Sequence, residues 1–191
     1  MNWTWEVTTG PASEPVSLAD MKEHLRVDIT DDDDLITAQI VAARRWIEQY
    51  CNRSLFTQTL TAYFDRMPLD RIMLPQSPVA SVTSFNYVDT SGDSQTITAS
   101  DYLVDTVSTP CRIEPAYSKS WPSARTQLNA VNVVYVAGSA SISEDIIHAL
   151  KLMVGTMYLA RENDCPMQTY QPSVTIKSLL SAYKLYYRGP W

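Results

Sequence analysis

The chain is short of most of what catalytic sites are built from. It has two histidines, three cysteines and five glycines in 191 residues. His24 and His148 each lack a second His or Cys four positions away, so neither starts a ligand pair on a helical face, and no zinc site is expected. None of the serines sits in a GxSxG turn, and neither GxxxxGK[ST] nor GxGxxG occurs. With so few glycines, a phosphate-cradling loop has little to work with. The expectation is therefore not an enzyme: no catalytic residue, no metal, no cofactor. The cysteines, Cys51, Cys111 and Cys165, are odd in number and widely spaced, without a CxxC pair. They read as reduced, mostly buried thiols in a reducing compartment. Positive charge is also scarce. Fifteen Lys and Arg stand against 21 Asp and Glu, a net −6, which disfavours tight nonspecific binding to duplex DNA. No apolar run approaches the ~20 residues that span a bilayer. The first 15 residues show neither a basic nor an apolar leader region. A soluble chain with no membrane association is expected.

What is present is 45% hydrophobic, enough to bury a core, and its periodicity changes twice. "EPVSLADMKEHLRV" predicts a short helix with Ser17 as cap, Asp20 beside the free amides, and Leu18, Met21 and Leu25 on one face. A second helix is expected from about Asp32 to Asn52. Ile36, Ile40, Ala43, Ile47 and Tyr50 step by four and three, Leu35, Ala42 and Trp46 widen the stripe, and Arg44, Arg45, Glu48 and Gln49 fall on the polar side. From Thr57 to Ala137 the chain turns to alternating Thr, Val, Tyr and Ser. "PVASVTSFNYVD", "TSGDS" and "QTITA" read as a hairpin, and "YLVDT", "CRIEP" and "AVNVVYVAG" as further strands, with the prolines between them. "SISEDIIHALKLMVGTMYLARE" predicts a broad, central third helix, capped by Ser141 with Glu144 or by Ser143. Gly155 within it suggests a close backbone approach. A short helix precedes an aromatic, basic end. The fold class is α+β, a small helical bundle with an antiparallel sheet or sandwich inserted between the second and third main helices. The expected segments are an arm over 1–15, helical parts over 16–53 and 139–183, a β-rich insertion over 54–138 and a tail over 184–191.

The second helix opens on four aspartates, Asp31 to Asp34. A calcium loop counted from Asp31 would need Gly at its sixth position and Glu at its twelfth; Ile36 and Ala42 stand there. Helix capping by Thr30 or Asp31, with carboxylates at the positive helix end, explains one or two of the four.

In their order, "VSLADMKEHLRVDITDDDDLITAQIVAARRWIEQYCNRSLFTQTLTAYFD", "IMLPQSPVASVTSFNYVDTSGDSQTI", "NAVNVVYVAG", the "YLARE" helix and "SLLSAY" resemble phage head–tail connectors, the head-completion adaptors of long-tailed phages. The resemblance runs from about Val16 to Tyr183. "SISEDI", where the family often has a proline, and the "KLYYRGPW" end depart from it. It implies a virion protein of the head–tail junction, assembled in the host cytoplasm. Copies would form a ring, expected to be dodecameric, beneath the portal protein. The ring would extend the DNA channel without sequence-specific binding and offer a surface to the next neck or tail-completion protein. On this reading Asp32, Asp33 and Asp34 are candidates to face the channel and repel phosphate.

The C-terminal Leu179, Leu180, Tyr183, Tyr186, Tyr187, Arg188 and Trp191 are candidates to bind the portal or a neighbouring subunit, because Tyr, Trp and Arg are enriched at interface hot spots. Two other functions fit less well. A tail terminator or other neck protein of the same particle would lack direct portal contact. A nucleic-acid-binding adaptor would have to rely on Lys177, Lys184 and Arg188 among tyrosines and would bind DNA in a salt-dependent way.

Overall fold

The structure is a computed structural model and describes residues 3–139, 141–160 and 174–186. Among the described residues one strand precedes two α-helices, seven further strands follow, and two α-helices come last; they group into two compact units: 13–51 with 141–184, and 1–12 with 52–140 and 185–191.

The first unit is helical. Helix α1 (Leu18–Leu25) starts as its sequence demands. Ser17 Oγ accepts from the Asp20 amide at 3.1 Å and donates to the Asp20 carboxylate at 2.7 Å, which satisfies amides that have no partner within the helix. It stops at Arg26, whose φ of 57° is left-handed. Helix α2 (Asp33–Cys51) buries Ile36, Ile40, Ala43 and Ile47, the expected stripe. Helix α3 (Glu144–Leu159) buries Ile146, Ala149, Leu150, Met153 and Val154, and α4 (Val174–Ser181) buries Ile176 and Leu180. Helix α3 packs against the other three, so its broad apolar girth is used within the unit.

Two expectations about these helices are corrected, and at α3 a choice between two caps is decided. Arg44 and Glu48 belong to the buried side, not the polar side. Arg44 Nε donates to Glu14 at 2.7 Å and a terminal nitrogen donates to Glu48 at 2.7 Å. Mutual pairing makes that burial possible for two charges that otherwise stay in water. At α3 the cap position falls to Ser143, whose side chain makes no cap bond because its hydroxyl is engaged elsewhere. At Gly155 no backbone comes close. An added Cβ would meet Leu25 Cδ2 at 3.8 Å and His24 Nε2 at 4.0 Å, ordinary contact with side chains.

The second unit is β-rich. Its five-stranded sheet runs β1 (Trp3–Thr9), β2 (Gln58–Phe64), β8 (Val131–Ala137), β4 (Val79–Val88), β5 (Ser94–Thr96). A three-stranded sheet runs β3 (Ile72–Met73), β7 (Arg112–Pro115), β6 (Tyr102–Asp105). Every pairing is antiparallel. Alternate residues of β2, β8 and β4 share one apolar core with Ile72, Tyr102, Cys111 and Ile113 of the smaller sheet and its connections. Strand β1 lies in the segment expected to be an arm. Its Trp3, Trp5 and Val7 pair with Phe64, Ala62 and Leu60 of β2, and Trp5 packs on the core. Pro115 ends β7 rather than lying between strands.

Two aspartates shape the turns. Asp89 accepts from the amides of Ser91, Gly92 and Asp93 and from Gln95 Nε2. Asp105 accepts from the amides of Val107 and Ser108 and from Arg112. Bonds to Ser108 and Arg112 hold the Asp105 carboxyl far below the usual carboxylate range.

Candidate functional site

The acidic start of α2 does two different jobs along its length. The carbonyl of Asp32 accepts the first helical bond, from the Ile36 amide at 2.9 Å. Asp32 therefore occupies the cap position, in place of Thr30 or Asp31 as expected. Its carboxylate Oδ2 accepts from the Tyr158 hydroxyl of α3 at 2.6 Å. Asp33 Oδ1 accepts from Lys22 Nζ of α1 at 2.6 Å. Both carboxylates are half-buried, and each ties a neighbouring helix to the start of α2. Asp31 and Asp34 are exposed. Their charge lies beside the positive end of the helix dipole and meets solvent.

The C-terminal candidates divide in the same way. Leu180 is fully buried within its own bundle, and its carbonyl accepts from Cys51 Sγ at 3.9 Å. It therefore has no surface to offer a partner. Tyr183 is also engaged within the unit. Its hydroxyl donates to Asp145 Oδ2 at 2.8 Å. A phenol has one proton, so the 2.6 Å contact with Ser143 Oγ is a bond donated by the serine. This explains why Ser143 does not cap α3 with its side chain. Leu179 is half-buried and Tyr186 is 75% exposed. Tyr187, Arg188 and Trp191 lie outside the described residues. Lys184 Nζ sits 4.4 Å from the centroid of the Tyr50 ring, and Tyr50 stacks on Trp46 at 5.0 Å. Two members of the stripe predicted to face the core thus form an aromatic platform on the side of α2.

The sequence reading passed over one set of residues. Leu69, Val107, Tyr117 and Leu128 are more than four-fifths exposed on loops of the β-rich unit. Two of these loops are braced. Asp65 accepts from the Gln127 and Asn129 amides, and Trp121 Nε1 donates to the Asp70 carbonyl at 2.9 Å. No periodicity marks such positions, because a single apolar residue in a loop carries no pattern.

Among the described residues no group of three or more His, Cys, Asp or Glu is placed to hold a metal. Asp20 and Glu144 precede the two histidines by four positions, but neither pair has a third ligand there. Cys51 and Cys111 are buried thiols, and burial pushes the Cys111 thiol up to about 12, away from reactivity. Cys165 lies outside the described residues. No helix among them is long and apolar enough to cross a membrane.

The model of the phage gp6-like head-tail connector proteins matches residues 15–108, which carry α1, α2 and β2 to β6. Over that stretch, just under half of its length, the chain is similar to the phage head–tail connector proteins. No curated protein matches it. Its fold is similar to chains in three solved structures, each covered over 96% of both chains. They are the neck of an empty GTA particle computed with C6 symmetry (19% identity, TM-score 0.77), the virion of a native gene transfer agent particle (18%, 0.77) and the neck of a native GTA particle computed with C12 symmetry (21%, 0.74).

Proposed function

We propose that the chain is a ring-forming adaptor in the neck of a phage-like particle. It joins the portal protein to the next neck or tail-completion protein and extends the channel through which DNA passes. The observation that carries this reading is the shared fold, over 96% of both chains, with necks that have C6 and C12 symmetry, in a chain whose residues 15–108 match the connector family. A twelvefold ring of identical copies needs two different faces that close head to tail. The C-terminal segment is read as the part that docks on the portal. Leu180 and Tyr183 hold its root to the subunit, while Leu179, Tyr186 and the residue types of Tyr187, Arg188 and Trp191 suit an interface. The exposed carboxylates at the start of α2 suit a rim that DNA passes without adhering. Of the three channel candidates Asp34 is the exposed one, beside the exposed Asp31, and Asp32 and Asp33 serve by fixing the helix start. Deleting residues 184–191 and counting portal-bearing heads that acquire the chain tests the docking. Heads that capture the shortened chain as well as the full one would refute it. An image of the assembled neck with Asp34 on the outer wall would refute the channel assignment.

A further inference from the structure

Helix α2 carries two apolar stripes, and the helical unit buries only one of them. The stripe of Ile36, Ile40, Ala43 and Ile47 faces the core. Leu35, Ala38, Ala42 and Trp46 step by three and four along another face. Leu35, Ala38 and Ala42 are exposed and Trp46 is half-buried. At 1.5 Å rise per residue this stripe is about 16 Å long. Two alanines between a leucine and a tryptophan leave a shallow groove, and such small side chains let another helix axis approach to about 8 Å. The Trp46 end of the groove is stiffened by the stack on Tyr50. Its charge has one sign. No acid occurs from Leu35 to Ile47. Arg45, three residues after Ala42, is exposed and makes no ion pair among the described residues. A face of the opposite sign lies on α1. Its Ala19 and Glu23, one helical turn apart, are both exposed, as is Asp20. Lys22 of that helix is committed to Asp33, and Glu23 makes no ion pair among the described residues. Within one copy the two faces do not cover each other, since both are exposed.

We propose that the exposed α2 stripe seats a second copy of this chain: the groove at Ala38 and Ala42 takes the Ala19–Glu23 face of the neighbouring copy's α1, with Arg45 against Glu23. The charges are complementary, and small residues on both helices permit close packing. The proposal rests on the reading of the chain as a ring subunit, and it supplies the two different faces that a head-to-tail ring requires. Each copy offers its α2 groove to one neighbour and its α1 face to the other.

The test measures ring assembly on portal-bearing heads that lack the chain, as the concentration of added chain at half-saturation, with rings counted by electron microscopy. It compares the wild type, Arg45→Glu, Glu23→Arg, Ala42→Trp and the double variant Arg45→Glu/Glu23→Arg. Thermal unfolding of each is recorded alongside and should match the wild type, because all three positions are exposed. Each single variant should raise the half-saturating concentration about tenfold or more, since like charges or a bulky side chain at an interface oppose association. The double variant should recover most of the loss, because every junction of its ring again pairs opposite charges. A contact of Arg45 with the portal or with DNA would give no such recovery. The inference is overturned if Arg45→Glu or Ala42→Trp assembles like the wild type, or if the double variant assembles no better than Arg45→Glu alone. If the wild type itself forms no ring on the heads, the ring reading fails and the inference falls with it. If the wild type forms rings and the variants form them equally well, only the inference fails.

Discussion

Glu48→Ala probes the least expected feature of the helical unit. Arg44 is 5% exposed and Glu48 7%. Burial acts to lower the Arg44 pKa, but the hydrogen bonds and charges of Glu14 and Glu48 outweigh it and hold the guanidinium above its ordinary value. Breaking a buried pair by removing one partner costs about 3–5 kcal/mol, because the remaining charge stays desolvated. Glu14 remains on the Arg44 Nε in the variant. Its side chain is 26% exposed, so that arm is partly screened and contributes about 0–1 kcal/mol. The expected loss is therefore near the lower bound, about 3 kcal/mol. At roughly 2–4 °C per kcal/mol, Tm falls by about 6–12 °C. Arg45→Ala, on the exposed side of the same turn, is the control and should change stability by less than about 0.5 kcal/mol. Replacing Arg44 and Glu48 together by methionine should restore most of the loss, since well-packed apolar side chains often match or exceed a buried ion pair. The assay is urea unfolding followed by far-ultraviolet circular dichroism, which weights the helical unit. A Glu48→Ala loss below about 1 kcal/mol, or a double variant less stable than the single one, would refute the reasoning.

Two glycines predict opposite outcomes. Gly155→Ala should stabilise the helical unit by about 1 kcal/mol, since the helix gains propensity and the new methyl meets only ordinary contacts; a fall in Tm would contradict this. Gly138→Ala should destabilise by well over 1 kcal/mol. Its φ is +109° and the added Cβ would lie 1.9 Å from the Phe56 carbonyl oxygen, so an alanine chain with unchanged Tm would show that the connection after β8 is not held as described. Asp105→Asn should lower stability at pH 7. A carboxyl with a depressed folded pKa stabilises above its unfolded value and loses that contribution as pH falls through the folded one. The gap between the wild type and Asp105→Asn should hold down to about pH 4 and close only in stronger acid. A gap that closes above pH 5 would rule out the turn's hydrogen bonds as its source.

The class of fold could be read from the sequence because its two signals are long. The Ile36–Ile40–Ala43–Ile47 stripe persists over three turns, and the alternation of β4 and β8 over whole strands. Strand β3 has two residues, too few to show a period. Strand β1 did alternate, Trp3, Trp5, Val7 against Thr4, Glu6, Thr8. Its period was legible, but it stood apart from the other strands ahead of two helices. The burial of Arg44 and Glu48 was hidden because residue type alone puts charges outside, and only Glu14, 30 positions earlier, reveals the exception. At the acidic run the sequence offered helix capping and phosphate repulsion without saying which aspartate does which. The partners Lys22 and Tyr158 divide the run into carboxylates that hold helices and carboxylates that meet water. The connector resemblance reached further than either signal, because it depends on the order of short motifs rather than on any one of them.

The order of strands in the larger sheet also governs when the protein becomes competent. Strand β8 is central, flanked by β2 and β4, yet it is the last strand to be made. Hairpins such as β4–β5 can close as they leave the ribosome, but β2 must wait until about residue 137 before it meets its inner neighbour. Pairing over such separations is slow, and it leaves strand edges open in the meantime. A nascent copy that has not yet reached β8 thus lacks the finished sheet.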